Sequence, residues 1–366
     1  VFCVLFSISA QAQDINKEIA INGNKYDNRK EPAIYMNRKA NGFRGIWYMV
    51  QPTKDIYKYK YSGGMAFYCE EHRPFAIFAP KVNKTFFCFG GTDKVNSTLF
   101  HNVSYFDHKT GKFANPLTIL DKQTTDAHDN PVISIDDKGY IYIFSTSHGI
   151  QRPSYISKGE KPYSIEKFNQ LHPTEIIDGK EVPFTNFSYF QVWYVKNKGF
   201  IAIFTKYDKK NHRVIGFNTS KDAVKWNEWK VLAHIEEGHY QISQESKGKI
   251  GVAFNFHPNK NGQGLDYRTN LYYIETKDFG QTWHTAEGKQ INLPLTQVDN
   301  IAKIKDYKSE NLNCYLKDIQ FDKKNLPVIL VISSKGFEPG QKNDPRTWEL
   351  FSFDKSWRNT KITTST

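Results

Sequence analysis

Five stretches of the chain share one pattern: an apolar run, a short polar turn rich in Lys, Asn and Gly, and a second apolar run. They are FAIFAPKVNKTFFCFGG, PVISIDDKGYIYIFS, FQVWYVKNKGFIAIFTK, YQISQESKGKIGVAFN and LKDIQFDKKNLPVILVIS. Alternating or continuous β-branched and aromatic residues on both sides of a turn predict β-hairpins. The turns centre near Lys84, Lys138, Lys198, Gly248 and Lys324, roughly 60 residues apart. Between the hairpins lie further strand-like pieces such as RVIGFNTS and YRTNLYYIET. Four strands per repeat at this period predict an all-β protein, a β-propeller of four-stranded antiparallel blades.

From His72 to Thr366 there is room for about five such blades, whereas a seven-bladed ring needs about 420 residues at this period. The expectation is therefore a ring that is seven-bladed when complete, of which this chain covers about five to six blades. The start, VFCVLFSISA followed by Ala10-Gln11-Ala12, reads as the apolar region and small-residue cleavage site of a secretory signal peptide. The expected organisation is a residual signal peptide over 1–12 and one propeller domain over 13–366, truncated at its C-terminus. Export predicts a secreted, periplasmic or cell-surface protein.

One segment, Thr276-Lys-Asp278-Phe-Gly280-Gln-Thr282-Trp283, is an Asp-box, a turn between the third and fourth strands of a blade. Its Asp caps backbone amides and its Trp packs between blades, so its role is structural. A shorter version, Ser220-Lys-Asp222-Ala-Val-Lys-Trp226, lacks the glycine.

The chemistry follows from hairpin geometry. Residues equidistant from an antiparallel turn lie side by side. His128 and His148 are centred on Lys138, Tyr189 and Tyr207 on Lys198, and His239 and His257 on Gly248. Three consecutive hairpins thus present two His or Tyr groups each at the end away from the turn, and in a propeller these ring the mouth of the central channel. The third strand runs parallel to the first, so Arg152, Arg213, Arg268 and Arg346 return to the same face. His72 and His101 fall in the first blade, apart from this ring.

Such a funnel suits an acidic sugar. Arginine forks bind carboxylates bidentately and stay charged. Neutralising a uronate carboxylate acidifies the neighbouring C5 proton. A neutral His can abstract that proton while a Tyr hydroxyl protonates the leaving glycosidic oxygen. The formal charge of +12 is consistent with capture of a polyanion. Blade symmetry alone also repeats residues for packing, and His128 and His148 with Asp129 form an alternative metal-binding cluster. No cofactor is required by the proposed chemistry, which leaves room for a structural metal ion. Four cysteines without CxxC spacing exclude a disulfide scaffold or zinc ribbon, although Cys69 and Cys88 could pair. No helix-turn-helix, zinc-finger or RNP pattern points to nucleic acid. No apolar run is long enough to span a membrane. A monomer is expected.

The run Asp126-Ala-His128-Asp129-Asn130-Pro131, with Asp136-Asp-Lys-Gly139-Tyr140 and Ser147-His148-Gly149, resembles the BNR-type repeat proteins. Gly238-His239-Tyr240-Gln241, Leu265 to Tyr273 and Asp344-Pro345-Arg346-Thr347-Trp348 look like later blocks of that family. The family includes secreted seven-bladed ulvan lyases, which cleave sulfated rhamnose–uronate polysaccharides. The resemblance implies a lyase acting by β-elimination on an acidic polysaccharide. It implies His128, His148 and Tyr189 as catalytic groups and Arg213 as the uronate clamp, with Tyr240 as a further carboxylate or subsite contact. Tyr194 and Tyr207 are alternatives to Tyr189. His239 and Arg268 are expected near the same carboxylate, and Tyr207, His257, Arg152 and Arg346 further out at the mouth. A rhamnosidase branch, acting on rhamnose–glucuronate linkages with a His from an N-terminal segment, is the alternative, as is a non-catalytic carbohydrate-binding propeller. Residues 1–71 contain no His, which weighs against the hydrolase branch.

Overall fold

A computed structural model describes residues 33–43, 51–52, 59–60, 71–92, 98–124, 126–149, 152–208, 210, 212–258, 267–337 and 341–365. The expected leader and Cys69 lie outside these residues. Among them there is no α-helix, only strands and two short 3-10 turns.

The strands form five principal sheets. The first orders Ala76–Ala79, Lys84–Gly91, Phe100–Asp107 and Leu117–Asp121, with Ile34–Lys39 added outside the last. The second is Pro131–Ile135, Ile141–Ser145, Tyr155–Gly159 and Phe168–Leu171. The third starts with Ser188–Val195, Gly199–Tyr207 and Arg213–Ser220, and its outer position is shared by Lys225–Glu228 and Lys230–Ala233. The fourth starts with Gln241–Ser246, Lys249–Phe256 and Thr269–Thr276, and the fifth is Asn313–Phe321, Pro327–Ser334, Arg346–Asp354 and Ser356–Ser365. Each is an antiparallel meander read outward from its first strand, which is a propeller blade. The five hairpins read from the sequence are the inner two strands of the five blades.

Among the described residues the core consists of four apolar layers, one between each pair of successive blades. Phe86, Val103 and Ile119 meet Ile133, Ile141 and Ile143; Tyr142 and Phe144 meet Phe190, Phe204 and Trp226. Ile203, Ile215 and Phe217 meet Ile250, Val252 and Phe254, and Tyr273 meets Ile319, Val331 and Phe351. This explains the two kinds of apolar run. Gly199–Tyr207 is sandwiched between two blades and is buried at every position. Pro327–Ser334 alternates buried and half-buried residues, because the fourth blade covers one of its faces.

Turns are held by a recurring device. Asp136 Oδ1 accepts the amides of Lys138 and Tyr140, and Asp322 Oδ1 those of Lys324 and Leu326. From Thr276 to Trp283, Asp278 Oδ1 accepts the Thr282 amide at 2.9 Å, while Trp283 packs on Phe217 of the preceding blade with ring centroids 5.3 Å apart.

One segment departs from the meander. Glu71–Phe75 runs beside the innermost strand of the third blade: the Arg73 amide donates to Phe190 O at 3.2 Å, and the Val192 amide donates to Arg73 O at 3.1 Å. Ile133 of the second blade donates to Pro74 O, and Arg73 pairs with Asp318 of the fifth blade at 2.8 Å. The segment therefore occupies the axis. His72 goes with it, so it sits at the centre, with its ring 5.5 Å from that of Tyr189 and its Nε2 donating to His128 O, rather than out in the first blade. Cys88 and Cys314 are buried free thiols.

Candidate active site

The second hairpin keeps an unbroken register, with Ile135 opposite Ile141 and Pro131 opposite Ser145. Extending that register beyond the strands sets position 128 against 148. The two imidazoles stack with centroids 3.8 Å apart and planes 10° apart. Between Leu117–Asp121 and Pro131–Ile135 the chain makes a 3-10 turn, Ala127–Asp129, which turns His128 back toward Asp126. Asp126 then bridges both rings: Oδ1 accepts from His128 Nδ1 at 2.5 Å and Oδ2 from His148 Nδ1 at 2.8 Å. A carboxylate only accepts, so each Nδ1 carries the proton and each Nε2 carries the lone pair.

Beneath the pair lies a charge-balanced floor. Arg152 donates from Nε to Asp129 Oδ2 at 2.8 Å and from Nη2 to both Asp129 Oδ1 and Asp126 Oδ2. The buried Lys122 ammonium lies 3.4 Å from Asp129 and donates to the carbonyls of Thr146 and Pro153. Two carboxylates, Asp126 and Asp129, thus face two cations, Arg152 and Lys122. Burial lowers the His128 pKa below the usual imidazole value; the Asp126 hydrogen bond opposes this and the neighbouring imidazole adds to it. Burial alone would raise the Asp126 pKa, but the hydrogen bonds and charges of the two imidazoles outweigh it and hold Asp126 well below the ordinary carboxylate range.

The third hairpin behaves differently. Its register shifts between Ser188 and Gln191, and Tyr189 takes a left-handed backbone with φ of 48°. The turn is centred on Asn197 and not on Lys198, with Val195 opposite Gly199, so Tyr189 and Tyr207 are out of register even before the bulge; Tyr207 pairs with Arg213 on the third strand. The bulge aims the Tyr189 ring at the imidazoles, with its centroid 6.0 Å from that of His128. Backbone held in a sparsely populated region at a site of clustered polar groups is a common sign of function. Tyr189, Tyr207 and Tyr240 form one buried cluster, with the Tyr189 and Tyr240 hydroxyls 3.4 Å apart. Arg213 lies 5.0 Å from the Tyr240 ring and 5.8 Å from the Tyr207 ring, and Arg268 lies 3.9 Å from Tyr240. Burial works against the Arg213 charge, but the three surrounding tyrosines more than offset it and raise its pKa above the ordinary value. Burial also pushes Tyr207 up to about 12, so its hydroxyl remains a donor.

Arg213 is positioned by its own main chain. Its amide donates to Glu237 O, and its carbonyl accepts from the His239 amide. Gly238 makes this approach feasible: its φ is +112°, and a Cβ there would lie 2.3 Å from Arg213 O.

The structure thus brings His128, His148, Tyr189, Tyr207, Arg213, Tyr240, His257 and Arg268 into one chain of contacts. It places three expected mouth residues elsewhere. Arg152 lies below the imidazoles, engaged by two aspartates. His239 is fully buried and brackets main chain, with Nδ1 donating to Asn255 O and Nε2 accepting the Ile235 amide. Arg346 opens its strand in the fifth blade and pairs with Asp344 at 2.6 Å. Tyr194 lies toward the turn end of its strand, packed on Phe200. Asp126 was not given a role from the sequence, although it stands two residues before His128, within reach of that ring.

The polar groups at the heart of the cluster are incompletely matched among the described residues. Among the described residues, Tyr207 Oη, Arg213 Nε and both ring nitrogens of His257 are buried without a hydrogen-bond partner. Leaving such groups unmatched costs about 1–3 kcal/mol each. Groups of this kind gathered in one place suit a polar ligand.

The sequence matches the BNR repeat-containing family over residues 96–365. The chain belongs to that family. Among solved structures, a polysaccharide lyase described as an ulvan lyase aligns with a TM-score of 0.62 at 17% identity, covering 88% of this chain and 74% of that one. The ulvan lyase bound to -[GlcA(1-4)Rha3S]- aligns with a TM-score of 0.60, with the same identity and coverage. These likenesses agree with the propeller fold of this family member. No curated protein matches the sequence significantly.

Proposed function

We propose that this propeller is a polysaccharide lyase that cleaves an acidic, uronate-containing polymer of the sulfated, ulvan-like kind by β-elimination. The observation that carries the reading is the juxtaposition of a buried guanidinium, set among three tyrosines, with an imidazole pair locked in one tautomer by Asp126. Arg213, with Arg268 stacked on Tyr240, receives the uronate carboxylate and stabilises negative charge developing toward C5. His128 takes the C5 proton at Nε2, the nitrogen left basic because Nδ1 is committed to Asp126. Tyr189 gives its phenolic proton to the departing glycosidic oxygen. The C5 electron pair forms the C4–C5 double bond as the C4–O bond breaks, so the products are an unsaturated uronate end and a new hydroxyl end. His148 and Asp126 hold the base in place, and no cofactor enters the step.

The ionisation of the carboxylates argues against hydrolysis by this cluster. A glycosidase ordinarily needs a protonated carboxyl group opposite a second carboxylate. Asp126 is held anionic by two imidazoles, and Asp129 is committed to Arg152 and Lys122. The deciding experiment is incubation with ulvan and other uronate polymers while following ultraviolet absorbance. A rise accompanied by new unsaturated ends is the expected outcome; free rhamnose without an absorbing product would establish the hydrolase alternative instead.

A further inference from the structure

A second His/Asp cluster lies just behind the arginine and outside the imidazole pair. Tyr207 ends the second strand of the third blade, Arg213 begins the third, and the turn between them opens on Asp208. Asp208 Oδ1 accepts the amides of Lys210 and His212 at 2.8 Å each, which fixes the carboxylate so that Oδ2 points away from the turn. Oδ2 lies 3.1 Å from His212 Nδ1 and 3.2 Å from His234 Nε2. His234 comes from a different element, the end of Lys230–Ala233, and its amide is tied to Leu295 O at 2.9 Å. One oxygen and two ring nitrogens, all within 4.8 Å of one another, therefore converge from two segments.

We propose that Asp208, His212 and His234 bind one divalent transition-metal ion, zinc fitting best, and that this ion clamps the turn carrying Tyr207 and Arg213 to the outer edge of the blade. Zinc takes imidazole nitrogen and carboxylate oxygen at about 2.0–2.2 Å in tetrahedral geometry, which sets neighbouring ligand atoms about 3.3 Å apart. The two Asp208 contacts have that length. Two imidazoles disfavour calcium and magnesium, which prefer all-oxygen shells. The side chains are partly exposed, so a solvent molecule can complete the fourth position. The ion does no chemistry on the sugar. It holds together the ends of two strands whose continuations carry Arg213 on one side and the Glu237–His239 main chain that grips it on the other.

The proposal stands independently of the lyase reading, and its test measures metal directly. The full chain is stripped with a chelator, dialysed, and titrated with zinc alone, reading metal content and thermal midpoint. The expected result is about one tightly held zinc per chain and a raised midpoint. His148→Ala, which dismantles the Asp126–His128–His148 cluster, keeps that zinc, while His234→Ala and the turn variant His212→Gln lose at least tenfold in zinc affinity. Cobalt(II) in place of zinc gives the visible absorption of a tetrahedral ion. His212 lies on a surface turn, so H212Q provides a folded comparison if H234A does not fold. No stoichiometric zinc in the wild type, or zinc that survives H212Q and disappears in H148A, overturns the assignment.

Discussion

The second and fourth blades each carry two histidines flanking a hairpin turn, and the fold puts them to opposite uses; the fourth turn is centred between Lys247 and Gly248, not on Gly248, so His239 and His257 do not lie side by side as expected. In the second blade the side chains of His128 and His148 are 19% and 35% exposed, stacked, and bridged by Asp126. In the fourth, His239 and His257 are 0% and 1% exposed. His239 bonds main chain through both nitrogens, and His257 lies under Tyr240 with its centroid 5.2 Å from that ring. In the second hairpin the register sets the two histidines opposite each other, stacked beside a carboxylate, whereas in the fourth, with Gln241 opposite Phe254 and the His257 amide bonded to Gly238 O, the two histidines are not cross-strand partners and close under main chain, tyrosines and arginines. Ionisation follows placement. The bridging carboxylate partly offsets burial at His128, whereas burial pushes His239 down to about 3 with little to oppose it.

The sharpest way to break this contrast is to truncate one member of each pair. His128→Ala is expected to lower kcat on a uronate polymer by about 10²–10⁴-fold, the usual worth of a positioned base, with the thermal midpoint nearly unchanged. Equal turnover by the variant and the wild type would remove the second blade from the chemistry. Asp126→Asn comes next. The amide cannot accept two Nδ1–H bonds through one carboxylate, so the ring tautomers scramble, and a loss of about 10²-fold in kcat is expected with KM little changed. Steady-state kinetics on that variant separate an orienting role from a binding one.

His239→Ala is expected to do the reverse. It removes two hydrogen bonds and leaves main-chain groups unmatched, lowering stability by about 1–3 kcal/mol while leaving kcat within severalfold of wild type. Denaturant titration beside a kinetic assay reads both. The same burial sets a pH dependence of stability. The folded pKa of His239 lies below its unfolded value of about 6.5, so the unfolded chain binds more protons in between. Its stabilising contribution is full above pH 6.5 and is lost as the pH falls toward about 3. Activity has its own acid limb, where His128 protonates, below the usual imidazole value. An activity profile flat through that range in a protein that remains folded would exclude an imidazole base.

The hairpins and their turns were readable because the chain marks them with local chemistry: Asp-x-Lys-Gly at Asp136, and Asp-Lys-Lys-Asn at Asp322, whose carboxylates cap amides two and four residues on. The His128/His148 pairing was readable for the same reason, since an unbroken register carries symmetry from the turn outward. The Tyr189/Tyr207 pairing does not form, because the third hairpin turns about Asn197 rather than Lys198, and a bulge at Tyr189 that nothing in SYFQVWYV marks shifts the register further. His72 was misplaced because its segment leaves the repeat and enters the axis, held there by contacts with three other blades.

By itself the sequence determined the repeat, the strand chemistry and the residue types available to the channel, since these depend on period and on contacts a few residues long. Only the tertiary structure decided which histidine meets a carboxylate, which is sealed in the core, and which arginine is ringed by tyrosines. Those outcomes rest on burial and on neighbours drawn from separate blades. Arg152 and Arg213 sit at one common distance along the chain from His128 and Tyr189, yet the first is neutralised by Asp126 and Asp129 and the second is surrounded by tyrosines. No local pattern carries that difference, because it is an electrostatic property of the assembled ring.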